Sequence, residues 1–266
     1  LYTLDEHFQP TVVAGVPPDD LGPEGQRWGN PLYRWDQMAD EGFAWWAARV
    51  KRMLHQADAF RIDTIGWLPH SFWHAFSQKI REKRPGFFMF GEAFDYDANK
   101  IAEHTWTENA SVSVLDFPLK QALVKLFETP GGDFATLAEP LHLSGGPYAN
   151  PYELMTFYDN HDMARMNASD SGFIDANNWL FTARGIPVIY YGSEIGFERG
   201  TGEHAGNRNY FGVEGIAAAK THPIRTALAR IAKVRAASPA LQRGLQVNIV
   251  LQGDRAAFYR VYQRGD

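Results

Sequence analysis

Cysteine is absent from this 266-residue sequence. Its absence excludes disulfides, thiolate metal sites and a cysteine nucleophile, while leaving the redox compartment open. Long hydrophobic runs are also missing: no stretch approaches the roughly 18 apolar residues that cross a bilayer, and no basic-then-apolar leader opens the chain. The first residues, Leu1-Tyr2-Thr3-Leu4, lack a Met and read as mid-domain. Charge of one sign is scarce too, because 26 Lys and Arg stand against 31 Asp and Glu for a net −5. No basic footprint for nucleic acid and no basic run for a membrane surface results, so a neutral, weakly charged or apolar substrate fits better.

What is present is enough hydrophobic material, 45% of the residues, to bury a sizeable core in one domain or one and a fraction. Aromatics reach 14%, with eight Trp, which suits either a large core or exposed platforms for sugar rings. The first 35 residues are rich in Gly and Pro, hold little periodicity and read as a long ordered loop. From Phe43, the positions Phe43, Trp46, Ala47, Val50, Met53 and Leu54 recur at helical spacing. Strands are then predicted at 58–65, 86–91, 111–117, 153–158 and 186–192, with helices at 71–82, 118–128 and 174–184 between or after them. That alternation predicts an α/β fold with a parallel sheet and helical crossovers. A longer helix at 223–236 precedes two strands, Leu245 to Leu251 and Ala256 to Tyr262, which form a hairpin around Gly253-Asp254.

Three of the strands run straight into acids: Ala59-Phe60-Arg61-Ile62-Asp63-Thr64, Phe90-Gly91-Glu92-Ala93 and Phe157-Tyr158-Asp159-Asn160-His161-Asp162. The carboxyl ends of parallel strands are where α/β proteins place their chemistry, so the pattern points to a carboxylate site. Arg61 and Asp63, two apart on a strand, share a face, and the guanidinium can keep the carboxylate ionised as a nucleophile requires, or the two form a structural ion pair. Glu92 ends the apolar run Phe87-Phe88-Met89-Phe90-Gly91, where desolvation raises a carboxyl towards the value of a general acid, unless it only caps the strand. His161-Asp162 after Asp159-Asn160 are either functional or a turn with an Asx cap. Two acids flanking a glycosidic bond, with a third to steady positive charge, are the known arrangement for glycoside cleavage. The histidines His55, His70, His74 and His104 show no metal-ligand spacing and read as surface or packing residues, so no metal site is expected.

These segments resemble the second, third and fourth signature regions of the α-amylase superfamily, glycoside hydrolase family 13. Ser113-Val114-Leu115-Asp116-Phe117, Gly185-Ile186-Pro187-Val188-Ile189-Tyr190-Tyr191-Gly192 and Asn207-Arg208 are similar to cyclodextrin glucanotransferases and related amylases, so the likeness runs from about residue 59 onward. The resemblance implies that Asp63 is the nucleophile, Glu92 the general acid/base and Asp162 the transition-state stabiliser, with Arg61, His161 and Arg208 as supporting or substrate contacts. It also implies a retaining mechanism through a covalent glycosyl-enzyme, with the two reacting carboxyls roughly 5 Å apart. Residues 1–58 resemble a different group, the amylomaltases or 4-α-glucanotransferases of family 77. Val12-Val13-Ala14-Gly15-Val16-Pro17-Pro18-Asp19, Gly25-Gln26-Arg27-Trp28-Gly29-Asn30-Pro31 and Tyr33-Arg34-Trp35 carry that likeness, with Trp28 and Asn30 as implied substrate contacts. The two likenesses meet near His55 to Arg61.

Together they imply a TIM (β/α)8 barrel that is incomplete, holding about strands 4 to 8, followed by the start of an antiparallel β-domain. The implied domains are 1–57, an active-site loop and helix; 58–240, catalytic barrel strands and helices; and 241–266, the start of the β-domain. An open barrel exposes unpaired strand edges, so an oligomer or a missing N-terminal half is expected as partner. Gly66-Trp67 stand where many α-amylases carry Lys-His, which leaves Trp67 to stack on a glucose. His204 stands where cyclodextrin-forming relatives carry Asp. The implied function is a retaining α-1,4-glucan hydrolase or transglycosylase acting on α-glucan or maltooligosaccharide, with 4-α-glucanotransferase disproportionation as the alternative. A chain without catalysis that at most binds glucan or a partner is the alternative from another class. No cofactor for catalysis is implied. A structural calcium, held in many relatives by an Asn of the absent first region, is not expected to be complete here. The amylomaltase-like segment slightly favours the cytoplasm.

Overall fold

The computed structural model describes residues 56–263, together with the backbone of two short strands near the N-terminus. These are β1 (Tyr2–Leu4) and β2 (Pro10–Val12), paired antiparallel with Tyr2 opposite Val12. They fall where a loop was expected. The predicted helix from Phe43, His55, and the candidate contacts Trp28 and Asn30 lie outside the described residues. The chain divides into two compact units, Leu1–Ala57 and Asp58–Asp266.

In the second unit five short strands are parallel and follow one another in space in chain order: β3 (Ala59–Ile62), β4 (Phe88–Gly91), β5 (Ser113–Val114), β6 (Met155–Thr156) and β7 (Ile186–Pro187). In β3–β4 Ile62 stands opposite Gly91, in β4–β5 Phe90 opposite Ser113, and in β6–β7 Met155 opposite Ile186. A parallel bridge from Leu115 to Met155, with Asp116 N–H donating to Met155 O at 3.0 Å, links β5 to β6. All five expected strands are present. Each is shorter than its apolar run, and the reasons are local. Asp116 caps the next helix by accepting from Leu119 N–H at 3.2 Å, which stops β5. Pro187 brings no N–H to the ladder, and Gly192 at φ 85° turns the chain after β7.

Helices lie between the strands or follow them: α1 (His70–Lys83), α2 (Ala98–Ala102), α3 (Phe117–Glu128), α4 (Asp170–Thr182), α5 (Gly212–Ala219), α6 (Pro223–Ala237) and α7 (Pro239–Arg243). Apolar periodicity found α1, α3, α4 and α6. It missed α2 and α7, which are too short to show a period, and α5, where Gly212 and Gly215 weaken the helical signal. α4 starts four residues before the expected 174, because Ser169 Oγ accepts from Gly172 N–H and caps it. The chain ends in the antiparallel hairpin β8 (Leu245–Gln252) and β9 (Arg255–Val261) around Gly253-Asp254, as expected.

The main core joins Leu119, Leu123 and Leu126 of α3 to Phe173, Trp179 and Leu180 of α4, and to Ile224 of α6. Inside it runs an ion pair with no exposure, Arg184 Nη1 to Asp116 Oδ2 at 2.5 Å. Arg184 also donates to Leu141 O at 2.6 Å and Pro140 O at 3.2 Å, so the buried charge is fully engaged. The aromatics divide between the core and the surface. Phe117, Phe157 and Phe173 are buried, whereas Trp67, Phe94 and Tyr210 are exposed.

Candidate active site

β3 delivers Arg61 and Asp63 to its carboxyl end. Thr64, in the left-handed region at φ 47°, then turns the chain into the short turn Ile65–Trp67. The backbone of Glu92 is held on both sides: its N–H donates to Ile62 O at 2.8 Å, and its carbonyl accepts from Ile65 N–H at 3.1 Å. Trp73 Nε1 donates to Ile65 O at 2.6 Å and fixes that turn to α1. Gly91 is required by close approach, because a Cβ there would stand 2.6 Å from Ile65 Cδ1. The acid at the end of β4 is thereby locked beside the acid at the end of β3.

The side chain of Glu92 is buried, at 9% exposure, and that of Asp63 is open, at 69%. Arg61 reaches Glu92 Oε2 at 2.7 Å and stands 3.8 Å from Asp63 Oδ1. The sequence suggested Arg61 as the partner of Asp63, yet its short contact is with the acid on the neighbouring strand. Burial pushes the Glu92 carboxyl above its ordinary range, a hydrogen bond to Asp63 pushes it further, and the Arg61 guanidinium opposes both. The environment of Glu92 thus favours its protonated form.

The third acid follows β6. Phe157 and Tyr158 are core residues, with Tyr158 OH donating to Asn177 Oδ1 at 2.9 Å. Asp159 is buried and accepts from Met166 N–H and Ser193 Oγ, both at 2.7 Å. Asn160 Oδ1 accepts from Asp162 N–H at 3.0 Å, so the Asx turn and the acid-bearing turn are one structure. Asp159 and Asn160 therefore build the turn, and His161 and Asp162 face the site. His161 Nε2 lies 3.0 Å from Asp162 Oδ2, and Arg208 Nη2 pairs with Asp162 Oδ1. Donor atoms of Glu92, His161 and Asp162 all lie within 4.8 Å of one another. The three acid-ended strands converge on one place.

That trio is a poor cation cage. Calcium takes about six to eight oxygens, whereas here one donor is an imidazole, and Arg61 and Arg208 already neutralise the two carboxylates. Trp67 is 76% exposed on the turn directly after Asp63. His204 pairs with Glu203 at 3.1 Å on the surface. His70 contacts Glu103 at 3.2 Å and His74 contacts Asn109 O at 3.0 Å. Two residues at the site carry no role from the sequence, Asn207 and Tyr190. Asn207 Nδ2 donates to His161 O at 2.6 Å, and Tyr190 OH donates to Asn207 O at 2.8 Å. Their signal was the Asn207-Arg208 and Tyr190-Tyr191 pairs, whose spacing says nothing of what they touch.

The family model for 4-alpha-glucanotransferase matches residues 1–145. Over 62 residues the chain is 55% identical to the 4-alpha-glucanotransferase of Thermus thermophilus, covering 23% of this chain and 12% of that protein. Over 230 residues it is 30% identical to an alpha-amylase of Streptomyces lividans, covering 71% of this chain and 24% of that one. Among solved structures, the alpha-amylase of Geobacillus thermoleovorans complexed with acarbose superposes with TM-score 0.69 at 28% identity, over 78% of this chain and 46% of the other. A cyclomaltodextrin glucanotransferase with a three-domain ABC distribution gives TM-score 0.69 at 28% identity, over 88% and 46%. The chain thus spans a quarter or less of these curated relatives and under half of these solved chains. Both expected likenesses are present, and the family match runs past residue 58, where the amylase likeness was expected to take over. By that match the chain belongs to the 4-α-glucanotransferase family, with α-amylases and cyclomaltodextrin glucanotransferases among its relatives.

Proposed function

We propose that the chain carries the catalytic centre of a retaining α-1,4-glucan-active enzyme that works through a covalent glycosyl-enzyme. The observation that carries this reading is the placement of the open Asp63 carboxyl and the buried Glu92 carboxyl at the ends of adjacent paired strands, bridged by Arg61 at 3.8 and 2.7 Å, with Asp162 beside Glu92. Retention needs the two reacting carboxyls only about 5 Å apart, since the nucleophile must touch the carbon whose leaving oxygen the acid protonates. In the first step Glu92 gives its proton to the glycosidic oxygen, Asp63 attacks the anomeric carbon, and the bond to the leaving sugar breaks. In the second, Glu92 removes a proton from an incoming hydroxyl, which displaces Asp63. Asp162, held by His161 and Arg208, faces the positive charge that develops on the ring in both.

The five parallel strands are read as the second half of a (β/α)8 barrel, with residues 58–240 as barrel and 241–266 as the start of a β-domain. Trp67, exposed on the turn after Asp63, is read as a stacking surface for a sugar, and Trp28 and Asn30 as further glucan contacts. The match to 4-alpha-glucanotransferase favours transfer over hydrolysis, so the incoming hydroxyl is that of a second sugar. Incubation with maltotriose tests the reading. Longer oligosaccharides are expected, with the α-configuration kept by NMR. Glucose and maltose alone would mean hydrolysis, inversion would rule out the mechanism, and glucan binding without turnover would leave only a binding module.

A further inference from the structure

We infer that Asn207 and Arg208 are positioning residues that set the orientation of Asp162 by clamping the turn that carries it. This rests on the role proposed for Asp162. Two side chains from the segment after β7 reach the same carbonyl: Asn207 Nδ2 donates to His161 O at 2.6 Å and Arg208 Nε to that oxygen at 2.9 Å. Arg208 then continues past the carbonyl to the carboxylate, where Nη2 pairs with Asp162 Oδ1. His161 Nε2 takes the other carboxylate oxygen at 3.0 Å, so each oxygen has its own partner. A carboxylate so gripped has one orientation, which is what stabilising charge at a fixed point demands. It also engages the Arg208 guanidinium within the protein, so Arg208 acts through Asp162 rather than as a simple sugar contact.

The clamp is anchored from behind. Asn207 is 1% exposed, and its carbonyl accepts from Tyr190 OH at 2.8 Å. The Tyr190 ring lies beside His161, with centroids 6.4 Å apart, and carries the buried Arg165 guanidinium over its face at 5.0 Å. Arg165 in turn donates to Tyr191 O at 3.0 Å. Asn207 Oδ1 meets no donor among the described residues, so the amide serves through its NH2 alone. A leucine of similar volume would lose the bond to His161 O while keeping the packing.

The test compares Asn207→Leu and Arg208→Lys with the unchanged chain. Maltotriose turnover is expected to fall about 10²-fold in kcat, the cost of a misplaced catalytic group, with KM changed less than about threefold. Asn207→Leu should stay folded at the assay temperature, because Arg208 Nε still donates to His161 O. A variant that loses stability and turnover together, or keeps full kcat, overturns the inference. Crystal structures of both variants give a readout that needs no turnover: the Asp162 carboxylate should leave its present orientation, and an unmoved carboxylate also overturns the clamp. Failure of the unchanged chain to turn over maltotriose would instead count against the proposed function, and the clamp would be judged by those coordinates.

Discussion

Arg61 forms its short ion pair with Glu92, at 2.7 Å, and stands 3.8 Å from Asp63. One guanidinium thus spans both acids but grips the buried one. It pulls against the burial and the Asp63 hydrogen bond that raise the Glu92 carboxyl, so it limits how far that carboxyl rises. Replacing Arg61→Met removes that opposing charge. The alkaline limb of kcat/KM, which reports the free enzyme's acid, should therefore move to higher pH while the rate falls. A limb that stays in place or moves down would show that Glu92 is not the group titrating there.

Gly91→Ala tests how the acid at the end of β4 is located. The new Cβ would stand 2.6 Å from Cδ1 and 2.9 Å from Cγ2 of Ile65, a residue with no exposure. Overpacking of this kind costs about 1–3 kcal/mol. The added Ile65→Val change, which removes Cδ1, should recover part of the loss in urea unfolding; two changes that simply add would show that the contact is not the cause.

Arg184→Met leaves the Asp116 carboxylate buried without its cation. The loss should reach about 3–5 kcal/mol, because the charge remains after its partner is gone. Adding Asp116→Asn, which keeps an acceptor for Leu119 N–H, should restore much of the unfolding temperature. No recovery would mean that the Arg184 bonds to Pro140 and Leu141 dominate.

His104 predicts a pH dependence of stability. Burial, helped by the neighbouring His70 and opposed by Glu103, pushes its imidazole down to about 4. The unfolded chain takes up this proton near pH 6.5. Its stabilising contribution is therefore complete above about pH 6.5 and is lost as pH falls from there through 4. His104→Phe, which keeps a ring against His70, should flatten the stability profile across that window; an unchanged slope would assign the effect elsewhere.

Much of the fold is legible in the sequence because strand and helix periods are local. The apolar run 86–91 and the alternation that ends in Tyr262 need no tertiary information to be read. Asp63 and Glu92 stand out for the same reason, as acids that stop apolar strands, and Asp162 as the last of the polar residues that follow one. What is not legible depends on neighbours across the sheet. Arg61 and Asp63 share a face by spacing, but the β3–β4 register, with Ile62 opposite Gly91, is what sets Glu92 nearer to the guanidinium. Asn207 lies 46 residues from the carbonyl it holds, and no pattern of period 2 or 3.6 spans that distance. The end of β5 at Asp116 combines a strand stop, a helix cap and a buried ion pair in one side chain, of which the sequence displays only the acid.

The central claim is that Asp63 attacks the sugar and Glu92 manages the proton. Glu92→Gln incubated with α-maltosyl fluoride tests it most directly, since fluoride leaves without a general acid but release of the intermediate still needs the base. Intact mass should show one maltosyl unit added to the protein, and peptide mapping should place it on Asp63. An adduct on another residue, or none while the unchanged chain turns over maltotriose, would contradict the account.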